Sequence, residues 1–319
     1  MTGTNCARSA ILLGALAGLS IVPGPHAQAV SSLGAGLHRI EVRSTADGSM
    51  QPSYLAVPAS GADASGGMPL VVMLHPWNSD LEARYTRIES DVVPRGWLAL
   101  TPNFRGKNNH PEGCGSSLAQ QDILDAVAWV RGRFTVDAKR LYLIGWSGGG
   151  FMVMLMAGRY PSLWAAASAG AGISDLRAWY EEHQTDTFGA DLRACFGGAP
   201  SDSESIARRY RDQSPITHLR PGLGVPLDLA AGKGDPEVSV RHTLEAFRAL
   251  APYALSEQEI ARLLADSASL PPVEDGDSLI PRRLYLRRTA EQARITIFDG
   301  KHEWFYRASL QWLEQHHRP

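Results

Sequence analysis

The chain has 319 residues, a net charge of −2, 44% hydrophobic and 20% charged residues. That balance excludes a disordered or fibrous chain, and the length holds one large α/β domain or two small ones. No run of lysine or arginine stands out, so nothing in the charge favours nucleic acid or an anionic membrane surface as a partner.

The first residues read as a separate unit. Arg8 precedes an apolar stretch, Ala10 to Val22, and Ala27-Gln28-Ala29 offers a small-residue cleavage site. This is the pattern of a secretory signal peptide over 1–29. The stretch falls short of the ~20 residues that span a bilayer. The expectation is therefore a secreted or periplasmic protein, cleaved after Ala29, with no membrane anchor left. Cys6 lies ahead of the apolar region, the wrong place for a lipid-modified cysteine. Cys114 and Cys195 would then sit in an oxidising compartment, and a disulfide and two separate buried thiols both stay open. No cysteine or histidine spacing suggests a metal site, and no motif calls for a cofactor.

From residue 30 onward one domain is expected. Leu37–Val42 and Ser53–Val57 read as strands around an Asp47-Gly48 turn. Pro69–Leu74 is an uninterrupted apolar run, as in a strand buried on both faces. Trp97–Thr101, Leu141–Ile144, Trp164–Ala169, Val225–Ala231 and Arg294–Phe298 repeat that pattern. Helices are expected over Arg84–Val93, Leu118–Phe134, Phe151–Arg159, Val238–Leu250 and Trp304–His316. Buried strands alternating with helices predict an α/β fold, a mostly parallel sheet covered on both faces. Ser174–Leu219 reads as a helical excursion over the site, and Pro252–Arg283 as an insertion.

Gly145-Trp146-Ser147-Gly148-Gly149 matches G-x-S-x-G between a buried strand and a helix, which points to Ser147 as a nucleophile. A serine on such a sharp turn is lifted above the sheet edge, at a helix N-terminus that favours developing negative charge. Of the later histidines, only His302 falls in a loop directly after a sheet strand, the edge where parallel sheets bind ligands. His242 reads as a helix-surface residue. Asp235 follows the strand ending at Ala231 and is the expected acid; Asp175 is the runner-up and Glu237 a third. The oxyanion donors are expected to be the backbone N–H groups of Gly148 and Trp77, since Pro76 has none. Trp77, Trp146 and Trp304 read equally as pocket walls or as packing residues, with Trp146 and Trp304 taken as substrate-binding.

Several segments together resemble the prolyl oligopeptidase and esterase branch of the α/β-hydrolases. Asp137 to Phe151 looks like its strand and nucleophile elbow. Asn103-Phe104-Arg105-Gly106 resembles its Pro-Asn-x-Arg-Gly loop. Ser214-Pro215-Ile216, Pro226 and Gly232-Lys233-Gly234-Asp235 resemble its approach to the acid. The resemblance runs from about Pro69 to the C-terminus and implies a Ser-His-Asp hydrolase forming an acyl-enzyme. Two departures matter. Peptidases of this family usually carry a large N-terminal propeller, whereas here only residues 30–68 precede the catalytic core of the mature chain. The insertion at Pro252–Arg283 separates the acid helix from the histidine strand. On those grounds the sequence ranks a carboxylic ester hydrolase first, acting on small-molecule or polymer-linked acetyl, feruloyl or other short or aromatic acyl esters. A serine peptidase is the alternative, and a non-catalytic binding protein on the same fold is a further one.

Overall fold

Runs too evenly apolar to alternate between core and solvent form the centre of one sheet. The computed structural model describes residues 33–59, 66–265 and 276–319, together with Met1 and Val273. The expected signal segment lies outside the described residues. Strands β1 (Gly36–Arg43), β2 (Met50–Val57), β3 (Met68–Leu74), β4 (Leu98–Pro102), β5 (Val136–Trp146), β6 (Ala166–Gly170), β7 (Leu227–Gly232), β8 (Leu284–Ala290) and β9 (Ala293–Phe298) assemble in the order β1-β2-β4-β3-β5-β6-β7-β9-β8. Every residue of β3, β4, β6 and β9 is buried. The six central strands run parallel, and β1, β2 and β8 are antiparallel additions at the two edges.

Side-chain alternation sorts the core into two layers. Leu70, Val72 and Leu74 of β3 and Leu141 and Leu143 of β5 face one layer, with Ile123, Phe151 and Leu244. Those three belong to helices α2 (Ser117–Arg131), α3 (Gly148–Arg159) and α7 (Val240–Leu250). Val71, Met73, Tyr142 and Ile144 face the other, with Ile88, Val92, Leu310 and Leu313. These come from helix α1 (Thr86–Val92) and helix α9 (Tyr306–Glu314). The sheet is thus covered on both faces, as the alternating pattern implied.

Helices α4 (Leu176–Glu182), α5 (Thr187–Phe196) and α6 (Glu204–Gln213) fill the excursion between β6 and β7, and α8 (Glu257–Leu264) forms within the 252–283 insertion. Two differences from the sequence reading stand out. Helix α3 starts at Gly148, directly after the serine, because three consecutive glycines leave its first turn free to pack on the sheet. Strand β8 was not expected; it pairs antiparallel with β9 through the Glu291-Gln292 turn.

Two ties fix the loops that approach the sheet's C-terminal edge. Arg105, left-handed at φ 76°, turns a buried guanidinium onto Asp122 of α2 at 2.6 Å and Asp47 of the β1–β2 turn at 2.8 Å. Cys114 and Cys195 are joined, binding the loop before α2 to α5 across a separation of 81 residues. Loop-closure entropy for that length stabilises the folded state by about 4 kcal/mol. Replacing both cysteines by serine should lower the unfolding free energy by up to that amount. Guanidinium titration checks it, and an unchanged midpoint would count against the loop-closure account.

Candidate active site

Strand β5 ends at Trp146, and the chain turns at Ser147 with φ 60° and ψ −125° before α3 begins. A non-glycine residue at positive φ is strained, and this strain places the hydroxyl above the sheet edge. The turn is held from β6, whose Gly170 carbonyl accepts the Ser147 N–H at 2.8 Å. Glycines follow because the backbones touch. A Cβ on Gly149 would collide with the Leu74 carbonyl, and one on Gly148 with the Trp77 amide nitrogen. The Trp77 and Gly148 amides therefore lie side by side at the N-terminus of α3. Neither donates a hydrogen bond to another group among the described residues. The two amides expected to act as oxyanion donors are thus neighbours in the fold.

Trp77 is positioned by a residue that the sequence reading did not single out. Asn108, buried at 1% exposure, donates to the Trp77 carbonyl from its backbone N–H at 3.0 Å and from Nδ2 at 3.3 Å. Its Oδ1 accepts the Cys114 N–H at 2.6 Å, which links this support to the disulfide. Asn108 sits in a Gly/Asn-rich loop where no local pattern marks it out. On the opposite side of the loop, buried His75 stacks on Phe104 at 3.8 Å, and Nε2 lies 2.9 Å from the Asn103 carbonyl. Burial lowers the His75 pKa, favouring a neutral ring that packs as part of the core.

Past β9, the loop carrying His302 folds back over the sheet edge. Gly232 at the end of β7 lies against the Gly300-Lys301 backbone, and Trp304 lies against Gly170. His302 Nδ1 donates to Asp235 Oδ2 at 2.6 Å. The Asp235 side chain is fully buried, and its Oδ1 accepts from Glu237 N at 2.8 Å and Val238 N at 3.0 Å. An ionised carboxylate only accepts, so the shared hydrogen sits on Nδ1, and in the neutral ring Nε2 is then an acceptor. The indole of Trp146 packs on the imidazole with centroids 4.5 Å apart. Ser147 Oγ forms no hydrogen bond among the described residues, to His302 Nε2 or to any other group.

The carboxylates considered from sequence separate cleanly. Asp175 caps α4, its side chain accepting from Arg177 N at 2.9 Å and Ala178 N at 3.2 Å. Glu237 stands on the other side of the imidazole, Oε2 lying 3.8 Å from Nε2. His242 is not a surface residue, which corrects the sequence reading. It is 3% exposed and faces Ser174, the Asp175 N–H and Glu182, because the apolar stripe of α7 is wide enough to carry it inside.

The tryptophans also sort. The Trp77 side chain is 2% exposed and packs edge-on to Trp179 at 4.7 Å, so it belongs to the core and offers only its backbone amide. Trp304 meets Tyr85 at 5.3 Å and donates to Ser309 Oγ at 3.1 Å. Its ring lines a cavity of about 280 Å³ with Arg84, Arg87 and Tyr306, and Ser147 is not part of that wall. Burial also raises the carboxyl pKa of Asp191, on α5 beside Trp77.

The residue pattern of the prolyl oligopeptidase family matches residues 94–268. Acylamino-acid-releasing enzyme 1 of Oryza sativa subsp. japonica is 26% identical over 222 residues, covering 64% of this chain and 28% of that enzyme. The human acylamino-acid-releasing enzyme is 29% identical over 212 residues, covering 62% of this chain and 28% of its own length. This chain therefore spans little more than a quarter of those relatives. Among solved structures, the Pyrococcus horikoshii acylaminoacyl peptidase superposes with a TM-score of 0.59 at 18% identity, over 83% of this chain and 37% of that one. That likeness shows the fold, which is the α/β-hydrolase fold. With more than half of its residues matching the family pattern, the chain belongs to the prolyl oligopeptidase family, a family of serine hydrolases.

Proposed function

We propose that this chain is a serine peptidase of the prolyl oligopeptidase type. Ser147 attacks the scissile carbonyl while His302 Nε2 takes its proton, and Asp235 holds the ring and stabilises the imidazolium. The Trp77 and Gly148 amides receive the oxyanion, and the proton passes from Nε2 to the departing amine. Water then releases the acyl group by the same path. The observation that carries this reading is the His302–Asp235 bond. A fully buried carboxylate satisfied by two backbone amides fixes the tautomer that a general base requires. The missing bond to Ser147 Oγ fits a free enzyme, in which catalytic hydrogen bonds tighten only when substrate binds.

This reverses the order reached from sequence alone, where ester hydrolysis stood first. The rice and human relatives carry names of enzymes releasing acylamino acids, and those names favour amide substrates. Ester turnover stays within reach of the same groups, because an ester carbonyl uses the same nucleophile and oxyanion donors. Export belongs to the proposal as well. The segment over 1–29 supports it, and a Cys114–Cys195 bridge suits an oxidising compartment.

Three measurements bear on the proposal. Ser147→Ala should abolish labelling by a fluorophosphonate and reduce turnover by about 10⁴-fold or more. Labelling that persists in this variant would remove Ser147 from the mechanism. Aminoacyl anilides should be cleaved by the wild type, whereas cleavage confined to nitrophenyl esters would restore the esterase reading. Asp235→Asn should reduce kcat by about 10⁴-fold. Asp175→Ala should instead cost about 1 kcal/mol of stability through the lost cap and leave the pH–rate profile unchanged. Equal kinetic damage from both changes would overturn the assignment of the acid.

A further inference from the structure

The loop between β7 and α7 presents two carboxylates to one imidazole. Asp235 binds Nδ1, and Glu237 Oε2 lies 3.8 Å from Nε2 with 47% of its side chain exposed. Glu237 is held in place by its backbone. Its N–H donates to Asp235 Oδ1 at 2.8 Å, and its carbonyl accepts from Trp179 Nε1 and His183 Nε2 of the α4 region, each at 2.8 Å. The side chain takes no part in those bonds. Its ion-pair contact among the described residues is with His302 Nε2, which carries charge only when the ring is protonated.

On the proposed mechanism, Nε2 hands its proton to the leaving atom, which must come within about 3 Å of that nitrogen. A carboxylate on the same nitrogen borders the leaving-group side of the scissile bond. A cation carried by the leaving group a few bonds beyond the cleaved atom comes within ion-pair reach of it, and an anion there is repelled. We infer that Glu237 selects substrates whose leaving group is positively charged, that is, peptides with a basic residue immediately after the cleaved bond. The inference rests on the Ser147–His302 reading and adds the substrate class to it.

The test compares peptides that differ only in the residue after the scissile bond: lysine, its neutral counterpart norleucine, or glutamate. For the wild type, kcat/KM should fall in that order by about 3- to 10-fold per step at low salt, and the steps should shrink as salt is added. Glu237→Gln should bring the three substrates together, and Glu237→Lys should reverse their order. Fluorophosphonate labelling of each variant reports an intact site, and the salt dependence of the wild type needs no variant at all. A wild type that labels and cleaves without ranking the peptides overturns the role of Glu237 and leaves the nucleophile standing. So does a ranking unchanged in Glu237→Gln. A wild type that neither labels nor cleaves removes the underlying reading, and this inference falls with it.

Discussion

Close contact between the first turn of α3 and the strand ends beside it constrains everything else at this site. The Leu74 carbonyl and the Trp77 amide occupy the space where side chains of residues 148 and 149 would otherwise stand. Helix and sheet can approach this closely only if those residues are glycine. The same approach forces the strained turn at Ser147 and brings two backbone amides side by side. On the proposed mechanism these donors need no reorganisation to receive negative charge, which is the condition under which such groups are most effective. Packing and chemistry here are one geometric fact.

The remaining parts come from loops far apart in sequence, and each is tied down by buried polar bonds. Asn108 fixes the Trp77 carbonyl, and Cys114 and the disulfide fix Asn108. Trp179 and His183 hold the Glu237 carbonyl, which ties the α4 region to the loop bearing Asp235. A neutral hydrogen bond contributes only about 1 kcal/mol, so none of these ties dominates stability. Their value lies in direction. Each fixes the orientation of a peptide group or carboxylate that must face the serine or the histidine. The excursion between β6 and β7 is therefore part of the support of the site.

Much of this was legible in the sequence because the signals were local. Continuous apolar runs marked the buried strands, and the glycines around Ser147 marked the turn. His302 and Asp235 stood directly after strands, where chain direction alone brings side chains to the ligand edge. Distance along the chain defeated the rest. Asp175 also follows a strand, and only the structure shows its carboxylate turned back to cap α4. His242 was misplaced because a broad apolar stripe and a narrow one look alike until the opposing layer is known. The Trp77 indole could not be assigned to core or pocket without knowing where Trp179 lies. Strand β8 escaped notice although Leu284 and Leu286 alternate with polar neighbours, because its partner β9 is what makes that short pattern a strand.

Family membership and fold leave the substrate open, since many chemistries share this scaffold. The groups around Nε2 narrow it. In the neutral ring Nε2 is an acceptor, so it can receive the Ser147 proton but cannot bond to the Glu237 carboxylate, which has no hydrogen to give. In the proposed mechanism, once the serine proton has moved, the same nitrogen is a cationic donor facing both the leaving atom and Glu237. The carboxylate therefore interacts more favourably with the charged state that the proposed attack creates than with the neutral ring. A group whose favourable contact appears only as the reaction proceeds lowers the barrier, whereas uniform binding would not. On that proposal a cation on the leaving group shares the Glu237 carboxylate with the imidazolium, so substrate choice and the charge created by proton transfer meet at one side chain.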